Sequence, residues 1–335
     1  MLPKRTLTLL GFCAGVYSLA RTTPPTGAVV VRGSGTQAGE FSTVQAAVTS
    51  LPADGSAQTI FIYPGTYIEQ VHITRVGKLA ILGSTTDIMN HAANSVRLSF
   101  NLSQGTSGGG DLSATLRIDT ANVSVYNMDI VNTFGPHTAA NAQALAVAGY
   151  GTNLGFYAVG FYGYQDTLRA EKGVQFYGLC YIEGAVDFIF GQNGHAFFHK
   201  NTIASVAAGA ITADGPDTAA ESLFVINQSN ITTSAAATSS LAGQVFLGRP
   251  WSAQAQVAYI SCTLGSSINP AGWEIWSVAT PQTSGVLFAE FDSTGPGAAG
   301  QRAPFSTKLS SATGFGIADV LGSTWATWVD STYFI

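Results

Sequence analysis

Val125-Tyr126-Asn127-Met128-Asp129-Ile130, Phe156-Tyr157-Ala158-Val159-Gly160-Phe161 and Phe176-Tyr177-Gly178-Leu179-Cys180-Tyr181 are three versions of one short β-forming run. Weaker copies follow at residues 197–202, 225–230 and 258–263, and the six starts lie 31, 20, 21, 28 and 33 residues apart. Runs this short cannot bury their own apolar faces, but stacked copies can, which is the logic of a solenoid whose loops vary in length on one side. A parallel β-helix of single-stranded coils fits best. A β-propeller or β-sandwich also uses short strands and turns and stays open on spacing alone.

Working outward, the composition agrees. With 46% hydrophobic and 10% charged residues the chain can bury a large core, and its Gly, Ala, Ser and Thr excess favours strands and turns over helical bundles. One helix is expected near the start, where Ser42-Thr43-Val44-Gln45 reads as a capping box ahead of the apolar stripe Val44, Ala47, Val48 and Leu51. It would cap the N-terminal end of the solenoid.

Lys4 and Arg5, an apolar run from Leu7 to Leu19, and small residues at Ser18 and Ala20 predict a secretion signal over residues 1–20. That leaves residues 21–335 as one domain, destined for the extracellular space. The run is shorter than a bilayer requires, so no membrane association is expected. Removing Lys4 and Arg5 takes the formal charge from −5 to −7, with 12 basic and 19 acidic residues left, which argues against a nucleic-acid partner. Acceptor sequons for N-glycosylation stand at Asn101, Asn122, Asn227 and Asn230.

Two cysteines survive removal of the signal. Cys180 and Cys262 occupy the same place in their repeats but three coils apart, roughly 14 Å at ~4.8 Å per coil. A disulfide tolerates a Cα separation of about 7 Å at most, so two buried thiols are predicted.

Gln143, Gln165 and Asp187 follow one another at steps of 22, and Asp166 precedes Asp187 by 21. Each step approximates one coil, so two amides and two carboxylates should share one face of the solenoid. A polar ladder on a solvated face would give the same spacing. The motifs around these residues decide between the two readings.

Gly65-Thr66-Tyr67-Ile68-Glu69, Gln143-Ala144-Leu145, Gly163-Tyr164-Gln165-Asp166-Thr167-Leu168, Asp187-Phe188-Ile189-Phe190-Gly191 and Leu247-Gly248-Arg249-Pro250-Trp251 occur in this order. Together they resemble the five signature segments of the pectin methylesterase family. Gly272-Trp273-Glu274-Ile275-Trp276 and Thr294-Gly295-Pro296-Gly297-Ala298 extend the likeness, which runs from about Val29 to Trp328. The resemblance implies a right-handed parallel β-helix, methyl-esterified homogalacturonan as substrate, and neither cofactor nor metal; a monomer is expected.

Carried over motif by motif, it implies Asp187 as nucleophile, Asp166 as general acid and then base, Gln143 and Gln165 as oxyanion donors, and Arg249 as the group that orients Asp187. Trp251, Phe190, Trp273 and Trp276 would contact the sugar. The chemistry suits these types. A guanidinium fork keeps a carboxylate ionised and aimed, departing methoxide needs a proton, and amides can donate to a tetrahedral oxyanion. Arg249 lies 62 residues beyond Asp187; with one coil through residues 211–214 between them it stands about 10 Å along the stack, within reach of a long side chain. Tyr67, Phe156, Phe161, Phe176, Phe188 and Phe197 are most simply core residues stacked between coils.

The chain also departs from the pattern. Cys180 lacks the partner thiol many relatives place beyond the nucleophile, Arg169 stands where plant members often carry an aromatic, and Asp214 with Pro216 alters another common stretch. Rival chemistries are weaker. Paired carboxylates also suit a retaining glycosidase, and no acidic ligand set of the kind a calcium-dependent lyase needs is evident. Gly105-Thr106-Ser107-Gly108-Gly109 matches a serine-hydrolase elbow in letters alone, and the five histidines show no metal-ligand spacing. A non-catalytic wall-binding solenoid would be expected to have lost one of the five roles, and none is lost.

Overall fold

A computed structural model describes residues 19–136 and 140–335. The secretion signal therefore lies almost wholly outside the described residues, as does His137. Among the described residues, every strand pairing within the sheets is parallel, and the strands form sheets of 11, 8 and 7 members that we call the rear, side and cleft sheets. Consecutive strands go to different sheets. Leu154–Tyr157 lies in the rear sheet, Gly160–Tyr162 in the side sheet and Leu168–Ala170 in the cleft sheet, before Lys172–Gly178 returns to the rear. The fold is the expected parallel β-helix.

A coil of this size needs a sharp corner between rear and side strands. Asn127, Ala158, Leu179, Lys200, Gln228, Ser261 and Asp292 all take a left-handed backbone there, with φ between 48° and 56°. Such a conformation costs a non-glycine residue energy. It persists because the corner N–H groups from Asn127 to Ser261 are used by the next coil: Ala158 donates to Gly178 O at 2.9 Å, Leu179 to His199 O at 3.1 Å, and Lys200 to Asn227 O at 3.0 Å.

The interior follows from the rung spacing. Phe156 pairs with Tyr177 and Tyr177 with Phe198, and their rings stack at 5.0 and 4.5 Å with interplanar angles of 4° and 8°. This corrects the register expected from sequence by one residue, since Phe176 lies level with Gly155 instead of Phe156. A one-residue slip reverses faces. Phe156, Phe161, Phe188 and Tyr67 are in the interior, whereas Phe176 and Phe197 point outward from the rear sheet. There they are covered by the C-terminal segment, through Ile317, Val320, Leu321 and Tyr333.

Cys180 and Cys262 are both buried and free. They follow Gly178 and Ile260, which the ladder Gly178, His199, Asn227, Ile260 sets three rungs apart. The expected helix forms over Val44–Ser50, but its cap differs from the expected box. Thr43 is the N-cap, its hydroxyl accepting from Ala46 N, and the Glu69 carboxylate accepts from Val44 N and Gln45 N at 2.8 and 2.9 Å. The Gly65–Glu69 motif is thus structural: Tyr67 OH binds Tyr63 O while Glu69 ties the helix to the first coil. No helix of the described residues is long and apolar enough to cross a membrane.

Candidate active site

Leu168–Ala170, Ile189–Gly191 and Gly209–Asp214 are successive members of the cleft sheet, with Leu168 level with Ile189 and Ile189 with Thr212. Asp166 and Asp187 each sit just before such a strand, in left-handed backbone with φ of 63° and 51°. The bend aims successive side chains away from the coil interior. Asp166 N–H donates to Val186 O and Asp187 N–H to Ala210 O, so each strained residue is held by the coil beyond it.

Gln143, Gln165, Asp166, Asp187 and Arg249 line one cleft of about 450 Å³, together with Phe190, Trp251 and Trp276. The 22-residue steps do not mark its register, however. Cleft-sheet partners recur every 21 residues, at Val147, Leu168 and Ile189, and Gln165 bridges to Val186, not to Asp187.

Arg249 lies level with Ala213, and Ala213 with Phe190, the two-rung offset expected from the chain length between them. Its guanidinium grips Asp187 as a fork, Nε to Oδ1 at 2.8 Å and Nη2 to Oδ2 at 2.7 Å. The Trp276 ring covers the other side of the guanidinium at 4.5 Å, close enough for a cation–π contact.

The two carboxyls feel different fields. Burial raises Asp187 above the ordinary carboxylate range while the Arg249 fork pulls it back. Burial also raises Asp166, and the neighbouring Asp187 charge adds to the effect, so Asp166 is pushed well above its usual range. On titration upward in pH, Asp187 ionises first and Asp166 keeps its proton longer.

Gln143 is fixed from behind, its carbonyl accepting from Gln104 N–H at 2.7 Å. Its side-chain Oε1 is buried with no partner among the described residues. Since amide oxygen and nitrogen are assigned from their surroundings, the observation is that one end of this amide lacks a partner in the cleft. An orphaned buried polar group costs free energy.

Trp273 is not brought to the cleft. It is 2% exposed, stacks on Phe288 at 4.3 Å and donates from Nε1 to Glu290. Gly248 permits this, since a Cβ there would fall 2.1 Å from Thr212 Oγ1 and 3.1 Å from the Trp273 ring. The same motif sends Trp276, three residues on, to the cleft.

Sequence reasoning missed a second group. Arg169, noted only as a departure, lines the cleft between the Tyr150 and Phe190 rings, 5.4 Å from each. It is held by Glu171 at 2.8 Å and Asp111 at 2.6 Å. Asp111 comes from the glycine-rich stretch that carries the serine-elbow letters. Ser107 there ends a short helix, Gln104–Ser107, and its hydroxyl donates to Gly109 O, so the letters carry no elbow.

A family model described as pectinesterase matches residues 28–311. A pectinesterase of Aspergillus niger is 40% identical over 328 residues, covering 96% of both chains. The crystal structure of a pectin methylesterase from Aspergillus niger superposes with a TM-score of 0.86 at 36% identity, covering 94% of this chain and 100% of that one. A pectin methylesterase from carrot superposes with a TM-score of 0.80 at 26% identity, covering 91% of this chain and 97% of that one.

Proposed function

The chain belongs to the pectinesterase family, and from that premise we propose that Asp187 is its nucleophile and Asp166 its proton carrier. It is a carboxylic ester hydrolase that removes methyl esters from pectin. One observation carries the assignment of roles: the Arg249 fork on Asp187, beside a second carboxyl that the same pocket pushes well above its usual range. One acid is aimed and kept ionisable, and the other is kept protonated.

In this reading an Asp187 oxygen attacks the ester carbonyl carbon, and the carbonyl electrons move onto oxygen. Gln143 and Gln165 donate to that oxyanion, each donor contributing about 3 kcal/mol. Collapse breaks the bond to methoxide as Asp166 gives up its proton, releasing methanol and leaving the galacturonoyl group on Asp187 as an acid anhydride. Asp166, now charged, takes a proton from water, whose oxygen attacks the acyl carbon and frees Asp187. Activity falls at low pH as Asp187 gains a proton and at higher pH as Asp166 loses one, both limbs being properties of the pair.

Trp251, Phe190 and Trp276 would bind sugar. Trp251 and Phe190 lie at 6.2 Å with their planes tilted by 57°, and Trp276 stands over Arg249, so the three make an aromatic wall around the nucleophile. We also read the chain as secreted, after removal of residues 1–20. Asn101, Asn122 and Asn230 are exposed and could carry glycans, whereas the Asn227 amide is tied to a His199 ring nitrogen at 2.9 Å.

The test is methanol release from methylated pectin, with reducing ends measured in parallel, for the wild type and Asp187→Ala. Methanol without new reducing ends, abolished in the variant, is expected. New reducing ends would point to glycoside cleavage instead.

A further inference from the structure

Asp214 ends the cleft-sheet strand Gly209–Asp214 and is fully buried, one residue beyond cleft-lining Ala213. Its main chain holds the segment that carries Trp251: Asp214 O accepts from Trp251 N–H at 3.0 Å and from Ser252 N–H at 3.4 Å. The turn that follows is packed directly on the indole, since a Cβ on Gly215 would fall 2.8 Å from the Trp251 ring. The Asp214 carboxyl reaches past this turn to two further groups. Oδ2 accepts from Gln256 N–H at 2.6 Å, and Oδ1 lies 2.6 Å from the Ser222 hydroxyl.

That hydroxyl has a single hydrogen and two acceptors to serve. Ser222 Oγ is 2.9 Å from Gly194 O and 2.6 Å from Asp214 Oδ1, and all three groups are buried. A carbonyl cannot donate, so the Ser222 proton must go to Gly194 for that contact to be a hydrogen bond. The short contact to Oδ1 is then a bond only if Asp214 carries the proton. Both are satisfied together when Asp214 O–H donates to Ser222 Oγ and Ser222 donates to Gly194.

We propose that Asp214 is a positioning residue held as a neutral carboxylic acid, and that its ionisation loosens the Trp251 side of the cleft and weakens substrate binding. The proposal rests on Trp251 being a sugar contact. Burial raises Asp214 to about 7, and Glu171, the charged group that faces it, pushes in the same direction although it is itself paired with Arg169. The Ser222 hydroxyl and the Gln256 and Gly215 N–H groups oppose the shift. An ionised Asp214 would claim the Ser222 proton and break the Ser222 hydrogen bond to Gly194 O. The chain Gly194, Ser222, Asp214, Gln256 then loses one link.

Asp214→Asn isolates the effect, because a carboxamide keeps the protonated pattern: its NH₂ donates to Ser222 and its oxygen accepts from Gln256. In the wild type KM should rise about fivefold between about pH 6 and about pH 8, the scale of one lost hydrogen bond, on top of the kcat profile set by Asp166 and Asp187. In Asp214→Asn the KM should stay flat over that range while kcat keeps its wild-type pH profile. A wild-type-like KM rise in the variant, or an Asn variant that binds poorly at about pH 6, overturns the proposal. An infrared difference spectrum, wild type minus Asp214→Asn, tests the protonation itself and does not depend on the role of Trp251. A protonated-carboxyl stretch that disappears between about pH 6 and about pH 8 is expected. Its absence at about pH 6 shows an ionised Asp214 and overturns the proposal even if the Trp251 assignment stands.

Discussion

Replacing Arg249 by Ala removes both hydrogen bonds to Asp187, at 2.8 and 2.7 Å, from a carboxylate whose side chain is 8% exposed. Breaking a buried ion pair from one side costs about 3 to 5 kcal/mol. Arg249 is itself 24% exposed, so solvent screens part of the interaction and the lower end applies. About 3 kcal/mol corresponds to roughly a 100-fold loss in rate. The loss should depend on pH. Arg249 favours ionisation of both Asp187 and Asp166, so without it both limbs of the kcat profile move to higher pH. The loss is greatest on the acid side and shrinks as rising pH ionises Asp187 without the help of Arg249. Arg249→Lys, which keeps a charge but not the fork, should fall between the two enzymes. The assay is methanol release at saturating pectin across the pH range. An equal loss at every pH, with both limbs unmoved, would refute the reasoning and assign Arg249 to transition-state charge.

Three further outcomes follow from named contacts. Gln143→Ala or Gln165→Ala should lower kcat by about 100-fold with KM nearly unchanged, since each amide meets charge that exists only in the transition state; wild-type kcat in both returns them to a structural ladder. Trp251→Ala should raise KM with little change in kcat, and an unchanged KM with collapsed thermal stability would make it a core residue. Trp273→Ala should do the reverse, costing about 3 to 5 kcal/mol of stability by chemical denaturation, because its indole fills the interior against Tyr259 and Phe288; a KM effect with intact stability would return Trp273 to the cleft.

The repeats were legible because a coil that stacks on copies of itself must repeat its apolar pattern, and the even spacing of Cys180 and Cys262 already excluded a bridge. The register was not. Period-two reasoning needs one face polar, and in the rear sheet both faces are apolar, the inner one from Phe156, Tyr177 and Phe198 and the outer one from Phe176 and Phe197 beneath the C-terminal segment. Phe156 and Phe176 therefore looked equivalent, although they point oppositely. The polar site residues were recognisable from motif order, and the structure brings all five to one cleft. Their spacing of 22 misled by one residue, because the ladder here repeats every 21 residues and Gln165 lies level with Val186, one residue before Asp187. Trp273 and Trp276 share one motif, which names residue types but not the direction each faces. Arg169 and Asp111 met across a glycine-rich loop whose path no periodicity records.

The central chemical step forms a covalent acyl anhydride on Asp187, and trapping it is the most direct test. Asp166→Ala mixed with a galacturonate ester of an acidic alcohol such as trifluoroethanol needs no proton donor to acylate, yet lacks the base that activates water for deacylation. A single-turnover burst of alcohol should appear, and peptide mass spectrometry should find one galacturonoyl group on the peptide that contains Asp187. Asp187→Ala treated with the same ester should give neither. A burst and an adduct on Asp166 in the Asp187→Ala enzyme, with none in Asp166→Ala, would contradict the account and reverse the two roles.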